Sequence, residues 1–150
     1  MYRIPKAVKT DPERRWALPD RIFFACGACH ILAYAFLHRK GGRTYTARWI
    51  KPAPGHAGNH IVAVSGNEAF DYHGHTQWDG LLAHIQRKSE RWWPGWRYEV
   101  IELPPEVLVS EAESLRYEGL WLREPDQFLH DPLPRAERFI DRVTGWNPPG

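Results

Sequence analysis

The chain contains little cysteine, a single methionine and almost no net charge. Its two cysteines, Cys26 and Cys29, stand three positions apart, so they cannot join distant elements, and a disulfide scaffold is excluded. Twenty basic and eighteen acidic side chains leave a net charge of +2, which gives no reason to expect nucleic acid or an anionic membrane as a partner. The longest mostly apolar run, residues 22–37, is interrupted by Gly27 and His30 and is too short for a membrane span.

The first sixteen residues lack the apolar segment of a secretory signal, so the sequence predicts a cytoplasmic protein, with export by a signal-less route as the alternative. A chain of 150 residues is long enough to bury its own hydrophobic core, and we expect a single domain over residues 1–150. Residues 1–17 are expected to form an irregular arm, because Pro5 and Pro12 oppose a long helix.

The order of hydrophobic patterns predicts an α+β protein. A helix over residues 28–39 is apolar nearly all round, which is typical of a buried helix, and Gly41-Gly42 is expected to end it. This N-terminal helix, headed by a cysteine, is expected to pack on a small, mostly antiparallel sheet with strands over residues 43–50, 60–65, 68–73 and 96–103. Helices are expected from a capping box at Thr76–Asp79 to about residue 91, and over residues 106–117 and 135–143.

Three polar residues are predicted to meet on one face of a hairpin whose two-residue loop is Gly66-Asn67. That loop places His73 opposite His60 and makes Asp71 a diagonal neighbour within reach of the His60 side chain. Because side chains alternate along a strand, all three point to the same face, which we expect the cysteine-headed helix to cover.

A thiol at the start of a helix faces unpaired N–H groups and the positive end of the helix dipole, which favour the thiolate. Cys29 stands at such a position, whereas Cys26 precedes the helix and is more simply a buried core residue. An imidazole beside a thiolate, held in turn by a third polar group, is the arrangement that nucleophilic thiol catalysis needs. An inert, half-buried thiol remains the alternative interpretation of Cys29.

The string Cys26-Gly27-Ala28-Cys29, followed by the ring of His30, resembles the papain-type signature C-G-[SA]-C-[WY]. The order of a cysteine at a helix start, a histidine at a strand start and a polar residue on the next strand is similar to compact bacterial papain-like amidopeptidases and transglutaminase-like proteins. The resemblance covers residues 23–73. It implies a thiol hydrolase or acyltransferase acting on a peptide or small amide, with Cys29 as nucleophile, His60 as base, and Asp71 or His73 orienting the imidazole. We expect no cofactor.

Two other chemistries use the same cysteine pair. The residues from Cys26 to His30 match C-x-x-C-H, the attachment motif of c-type haem, but no signal segment and no internal methionine accompany it. Zinc is the stronger alternative, because Cys26 and Cys29 have metal-ligand spacing and His60 and His73 complete a Cys2His2 set. A zinc-binding module and a catalytically inert papain-like interaction module therefore stand beside the enzyme hypothesis.

Eight tryptophans form the other unusual feature of the composition. Trp92, Trp93 and Trp96 lie around Pro94-Gly95, between a predicted helix and a predicted strand. Such a group either lines a substrate-binding groove or packs in the core and at its rim.

Overall fold

A computed structural model describes residues 2–39 and 44–144 and confirms the α+β prediction. Within those residues the helices are α1 Lys6–Lys9, α2 Pro12–Trp16, α3 Asp20–Ala25, α4 Cys29–Arg39, α5 Trp78–Trp92, α6 Glu111–Ser114 and α7 Leu133–Thr144. The strands are β1 Thr46–Pro52, β2 His60–Ser65, β3 Glu68–Asp71, β4 Gly74–Gln77 and β5 Tyr98–Leu103. Two 3-10 helices span Pro105–Val109 and Pro125–Gln127.

The five strands form one antiparallel sheet in the order β4-β3-β2-β1-β5, and helices cover both of its faces. Helix α4 packs on the face that carries Ala63 and Phe70, whereas α5 packs on the face that carries Val62, Val64 and Ala69. Because both faces are covered, five of the six residues of β2 are buried. Side chains along β2 therefore point alternately into two hydrophobic cores, one on each face of the sheet, and neither face is exposed to solvent there.

Helix α4 is the buried element predicted from its apolar circumference. It lies between the sheet and α7, with Phe36 stacked on Phe70 at 4.1 Å between ring centroids. Cys29 is its first residue, as the sequence predicts. The expected helix end at Gly41-Gly42 falls outside the described residues.

The hairpin has the predicted register, from Ser65 opposite Glu68 to Ala63 opposite Phe70, but its second strand is shorter than expected. Strand β3 ends at Asp71, and the chain turns at residues 72–73 into β4, which the sequence analysis missed. His73 therefore lies in a turn instead of opposite His60. The hairpin face that the cysteine-headed helix was expected to cover also carries Val62, and this expectation is wrong, since α5 covers that residue.

The expected capping box at Thr76–Asp79 is absent, because Thr76 belongs to β4 and Gln77 caps α5 without a side-chain hydrogen bond. The cap comes from Asn67 in the hairpin turn. Its Oδ1 accepts from the Asp79 N–H at 3.0 Å, and its carbonyl accepts from the Trp78 N–H at 2.8 Å. A tertiary contact thus supplies what the local sequence was expected to supply.

Residues 1–17 are not an irregular arm throughout, because they contain α1 and α2, and Asp11 Oδ1 accepts from the N–H groups of Glu13 and Arg14 at the start of α2. The helix expected over residues 106–117 is instead a 3-10 helix followed by α6, which Ser110 caps. The helix expected over residues 135–143 is present as α7. Among the described residues, no helix is long and apolar enough to cross a membrane.

Candidate active site

The chain brings its candidate site together at one end of the sheet. His60 begins β2 and Asp71 ends β3, and because these strands are antiparallel, both residues lie at the same end. Helix α4 packs against both strands and begins with Cys29. Gly27 makes the turn between α3 and α4 at a φ of +106°, a conformation that favours glycine.

Asp71 is the centre of the polar network in this site. Its Oδ2 lies 2.8 Å from His60 Nε2, and its side chain is only 1% exposed. Its Oδ1 accepts from the His73 backbone N–H at 2.8 Å and lies 2.9 Å from His73 Nδ1. Since His60 Nε2 donates to this carboxylate, Nδ1 is the nitrogen left for the thiol.

The thiol and the imidazole of this network stabilise each other as an ion pair. Burial alone would raise the pKa of the Cys29 thiol, but hydrogen bonds with His30 and His60 lower it to about 5. Burial alone would lower the pKa of His60, but its bonds to Asp71 and Cys29 raise it to about 10. Burial likewise opposes the charge of Asp71, yet the two histidines hold its pKa well below the usual range. At neutral pH the site therefore contains a thiolate, an imidazolium and a carboxylate.

His30 is a thiol partner that the sequence analysis did not assign. Its ring is 2% exposed, and its Nε2 donates to the Arg123 carbonyl at 2.9 Å, so Nδ1 remains for the thiol. The only sequence signal was its position directly after Cys29. The His30 contact also fixes the Arg123 backbone beside the start of α4.

His73 and Tyr72 lie around the network: His73 binds Asp71, and the ring of Tyr72 packs beside both histidine rings. His73 is bound to Asp71, so the structure places Asp71, and not His73, against His60. The Tyr72 ring lies 5.5 Å from the His60 ring and 4.1 Å from the His73 ring. Burial and the charge of Asp71 raise the pKa of Tyr72, which therefore covers the network as a neutral ring.

A cleft of about 910 Å³ opens beside this network. His60, Tyr72, Gly27 and Cys26 line it, together with residues from the N-terminal segment, from α5 and from the segment after α6. Cys26 has a different environment from Cys29: its thiol donates to the Tyr2 carbonyl at 3.6 Å, and burial raises its pKa. The two cysteines are therefore a protonated thiol and a thiolate, three positions apart.

The three tryptophans proposed as substrate-binding residues have three separate environments. Trp93 lines the cleft, whereas Trp92 is 49% exposed. The guanidinium carbon of Arg3 lies over the Trp92 ring, 4.1 Å from the ring centroid. Trp96 is completely buried, and its Nε1 donates to the Ala57 carbonyl at 2.9 Å, so it is a core residue. Trp121, which the sequence analysis did not select, also lines the cleft.

The structure does not assemble the zinc ligand set considered for Cys26, Cys29, His60 and His73. Cys26 faces the Tyr2 carbonyl, and His73 is bound to Asp71. In the part of the chain that the structure describes, no group of three or more histidine, cysteine, aspartate or glutamate side chains is placed to hold a metal ion.

Comparison of this chain with models of protein families, with curated proteins and with solved structures finds no match. The site brings together a thiolate, an imidazolium and a buried carboxylate beside an open cleft, which are the groups that thiol-based acyl transfer uses.

Proposed function

We propose that this protein is a cysteine-dependent hydrolase or acyltransferase that acts on an amide. The observation that supports this proposal is the unbroken chain of contacts from buried Asp71 through His60 to Cys29, with a thiol pKa of about 5. A structural cysteine has no need of a lowered pKa, which requires two partners to overcome the burial of the thiol.

In this mechanism the Cys29 thiolate attacks the carbonyl carbon of the amide and forms a tetrahedral intermediate. The backbone N–H groups of Cys29 and His30, the first two residues of α4, have no carbonyl partner one turn earlier in the helix and can stabilise the oxyanion. His60 then donates its proton to the departing nitrogen, and the C–N bond breaks to leave a thioester on Cys29. Water or an acceptor amine attacks that thioester, with His60 as base. Asp71 stays ionised and fixes the imidazole orientation.

The proposal is tested by turnover of a library of peptides and small amides by two matched cysteine variants. Cys29→Ala removes the nucleophile, so we expect loss of all thiol-dependent product. Cys26→Ala removes the protonated thiol that lines the cleft three positions away and should retain activity within about threefold, as for a change outside the chemical step. Turnover that survives in Cys29→Ala, with the fold intact by circular dichroism, overturns the proposal.

Trapping of the acyl-enzyme separates hydrolysis from transfer. Hydroxylamine added to the reaction should intercept the thioester as a hydroxamate, while an acceptor amine should raise product release only in a transferase. The absence of any covalent adduct on the Cys29 peptide by mass spectrometry, during active turnover, contradicts a thioester mechanism of either kind.

A further inference from the structure

The cleft beside Cys29 has a charge distribution that the overall composition does not explain. The chain has twenty basic and eighteen acidic residues, yet the described residues that line the cleft include five lysines and arginines and no aspartate or glutamate. The five are Arg3, Lys9, Arg15, Lys88 and Arg123. A cleft lined by one sign of charge concentrates ligands of the opposite sign.

Arg15 is the least expected member of this set. It lies on α2, its side chain is 9% exposed, and its Nε is buried without a hydrogen-bond partner. Among the described residues no carboxylate reaches it at ion-pair distance, and Asp11 at the start of α2 is the acidic group that acts on its charge. Arg135, nearby on α7, shows how a partly buried guanidinium is normally satisfied, because it donates to Asp20 and to the carbonyls of Trp16 and Leu18. An arginine held inside the protein without such partners has capacity left for a ligand.

Arg123 brings a second guanidinium to the same wall. Its carbonyl is fixed by His30, and its Nη1 lies 3.7 Å from the position that a Gly27 side chain would occupy. It is therefore held at the turn that leads directly into Cys29. Both guanidinium groups line the cleft, and burial, with a smaller effect of the Arg15 charge, lowers the pKa of Arg123. Like charges that face one cleft without a carboxylate between them are stabilised by a bound anion.

We propose that Arg15 and Arg123 bind an oxyanion of the substrate, so that the amide attacked by Cys29 carries a carboxylate or a phosphate near its scissile carbonyl. This inference rests on the proposed function and specifies its substrate class. The planar forks of two arginines match either oxyanion through paired N–H···O bonds. Arg3, Lys9 and Lys88 add a less specific attraction from the remaining lining.

The test compares two alkylating reagents of nearly the same size at Cys29. Iodoacetate carries a carboxylate, whereas iodoacetamide is its neutral counterpart, and the Cys29 peptide is quantified by mass spectrometry. The ratio of the two rates measures anion preference and cancels changes in thiol reactivity that are common to both reagents. His60 is present in every variant, so its own charge does not alter the comparison.

We expect Arg123→Gln and Arg15→Gln each to lower the iodoacetate-to-iodoacetamide ratio about tenfold, the loss of one charged hydrogen-bond partner. Arg21→Gln is the matched control: it removes an exposed arginine of α3 that does not line the cleft, and should leave the ratio unchanged. Arg15→Lys, which keeps the charge, should fall between the parent and Arg15→Gln. A ratio unchanged in both glutamine variants overturns the proposal.

A binding measurement keeps this inference separate from the proposed function. Calorimetry of the parent protein with glutarate and with inorganic phosphate does not depend on the thiol. The anion that binds more tightly shows whether the site prefers a carboxylate or a phosphate. Binding that is lost in Arg123→Gln but kept in Arg21→Gln supports the site even where Cys29 reacts with neither reagent. A reactive Cys29 in a protein that binds neither anion overturns the substrate class and leaves the proposed thiol chemistry intact.

Discussion

Two charged groups lie at or beside one cleft, and they differ in how far the protein itself balances them. Asp71, His60 and Cys29 each have a charged partner at hydrogen-bond distance or are coupled through one. Among the described residues Arg15 and Arg123 have no carboxylate at ion-pair distance, and Asp11 is the acidic group that acts on the charge of Arg15. A group whose charges compensate one another is preorganised without a ligand. A group whose charges are not compensated is stabilised when a ligand of opposite charge binds. We therefore propose that the first group carries out the chemistry and that the second binds the substrate.

Breaking the balanced group at its centre gives the largest expected effect. Asp71→Asn keeps the shape but removes the charge that holds His60 protonated, so kcat/KM for an amide substrate should fall by about 10³–10⁴-fold. The pH midpoint of Cys29 alkylation should be higher in Asp71→Asn than in the parent protein. Glu102→Gln, at an exposed carboxylate of β5, is the control and should be neutral. Equal activity of the two variants contradicts a role for Asp71 in the site.

His73 tests how far the balanced group extends. His73→Ala removes one hydrogen bond to Asp71 but keeps the backbone N–H at 2.8 Å, so we expect a fall in kcat/KM of about tenfold. His73→Asn retains a donor in the same place and should recover most of that loss. A positioning role requires this recovery together with a shifted pH profile; equal loss in both variants, without the shift, assigns His73 to packing alone.

The ion pair also predicts how stability depends on pH. The lowered pKa of Cys29 stabilises the fold at alkaline pH, and this contribution fades as pH falls from about 8.5 towards 5. The raised pKa of His60 stabilises the fold at acid pH, and this contribution fades as pH rises from about 6.5 towards 10. Their sum is level between about 6.5 and 8.5 and declines on both sides.

Cys29→Ser separates the two contributions, because a hydroxyl does not ionise in this range. The decline of the melting temperature between about pH 6.5 and pH 5 should become shallower in this variant, because the contribution of the thiolate is lost while that of the lowered pKa of His84 remains. Thermal unfolding across pH 4.5–9 of parent and variant measures it. An identical acid decline in both proteins contradicts a thiolate at neutral pH.

The smallest expected effect comes from a substitution in the unbalanced group. Unlike the losses of activity above, it is a gain in the stability of the fold. Arg15→Met removes a buried Nε that has no hydrogen-bond partner while it keeps much of the side-chain length, so the unliganded protein should gain about 1 kcal/mol. For a chain of this size that corresponds to a rise of about 2–4 °C in melting temperature. Arg135→Met, which breaks satisfied bonds to Asp20, should instead lower it. A loss of stability in Arg15→Met contradicts an unsatisfied Nε at that position.

Local patterns were sufficient for the parts of the site that depend on one hairpin and one helix start. The two-residue loop Gly66-Asn67 fixes the register that brings the start of β2 and the end of β3 together, and alternation then places His60 near Asp71. The apolar circumference of α4 predicts its burial, and with it the position of Cys29. The roles given to these residues remain predictions.

The rest depends on contacts between segments far apart in sequence. Arg123 reaches Gly27 and His30 across more than ninety positions, and Asn67 caps a helix that begins eleven residues later. Strand β4 is four residues long and only one of them is buried, so no hydrophobic alternation marks it. Arg15 offers no signal either, because a charged residue on a short helix is ordinarily exposed.

The most direct test of the central claim is the pH dependence of Cys29 alkylation by iodoacetamide in the parent protein and in His60→Ala. Peptide-resolved mass spectrometry follows Cys29 and Cys26 in the same sample. We expect a Cys29 midpoint near pH 5 that moves to about 8.5 or above without His60, while Cys26 reacts only at alkaline pH in both proteins. A Cys29 midpoint near 8.5 in the parent, unchanged by the loss of His60, would contradict this claim.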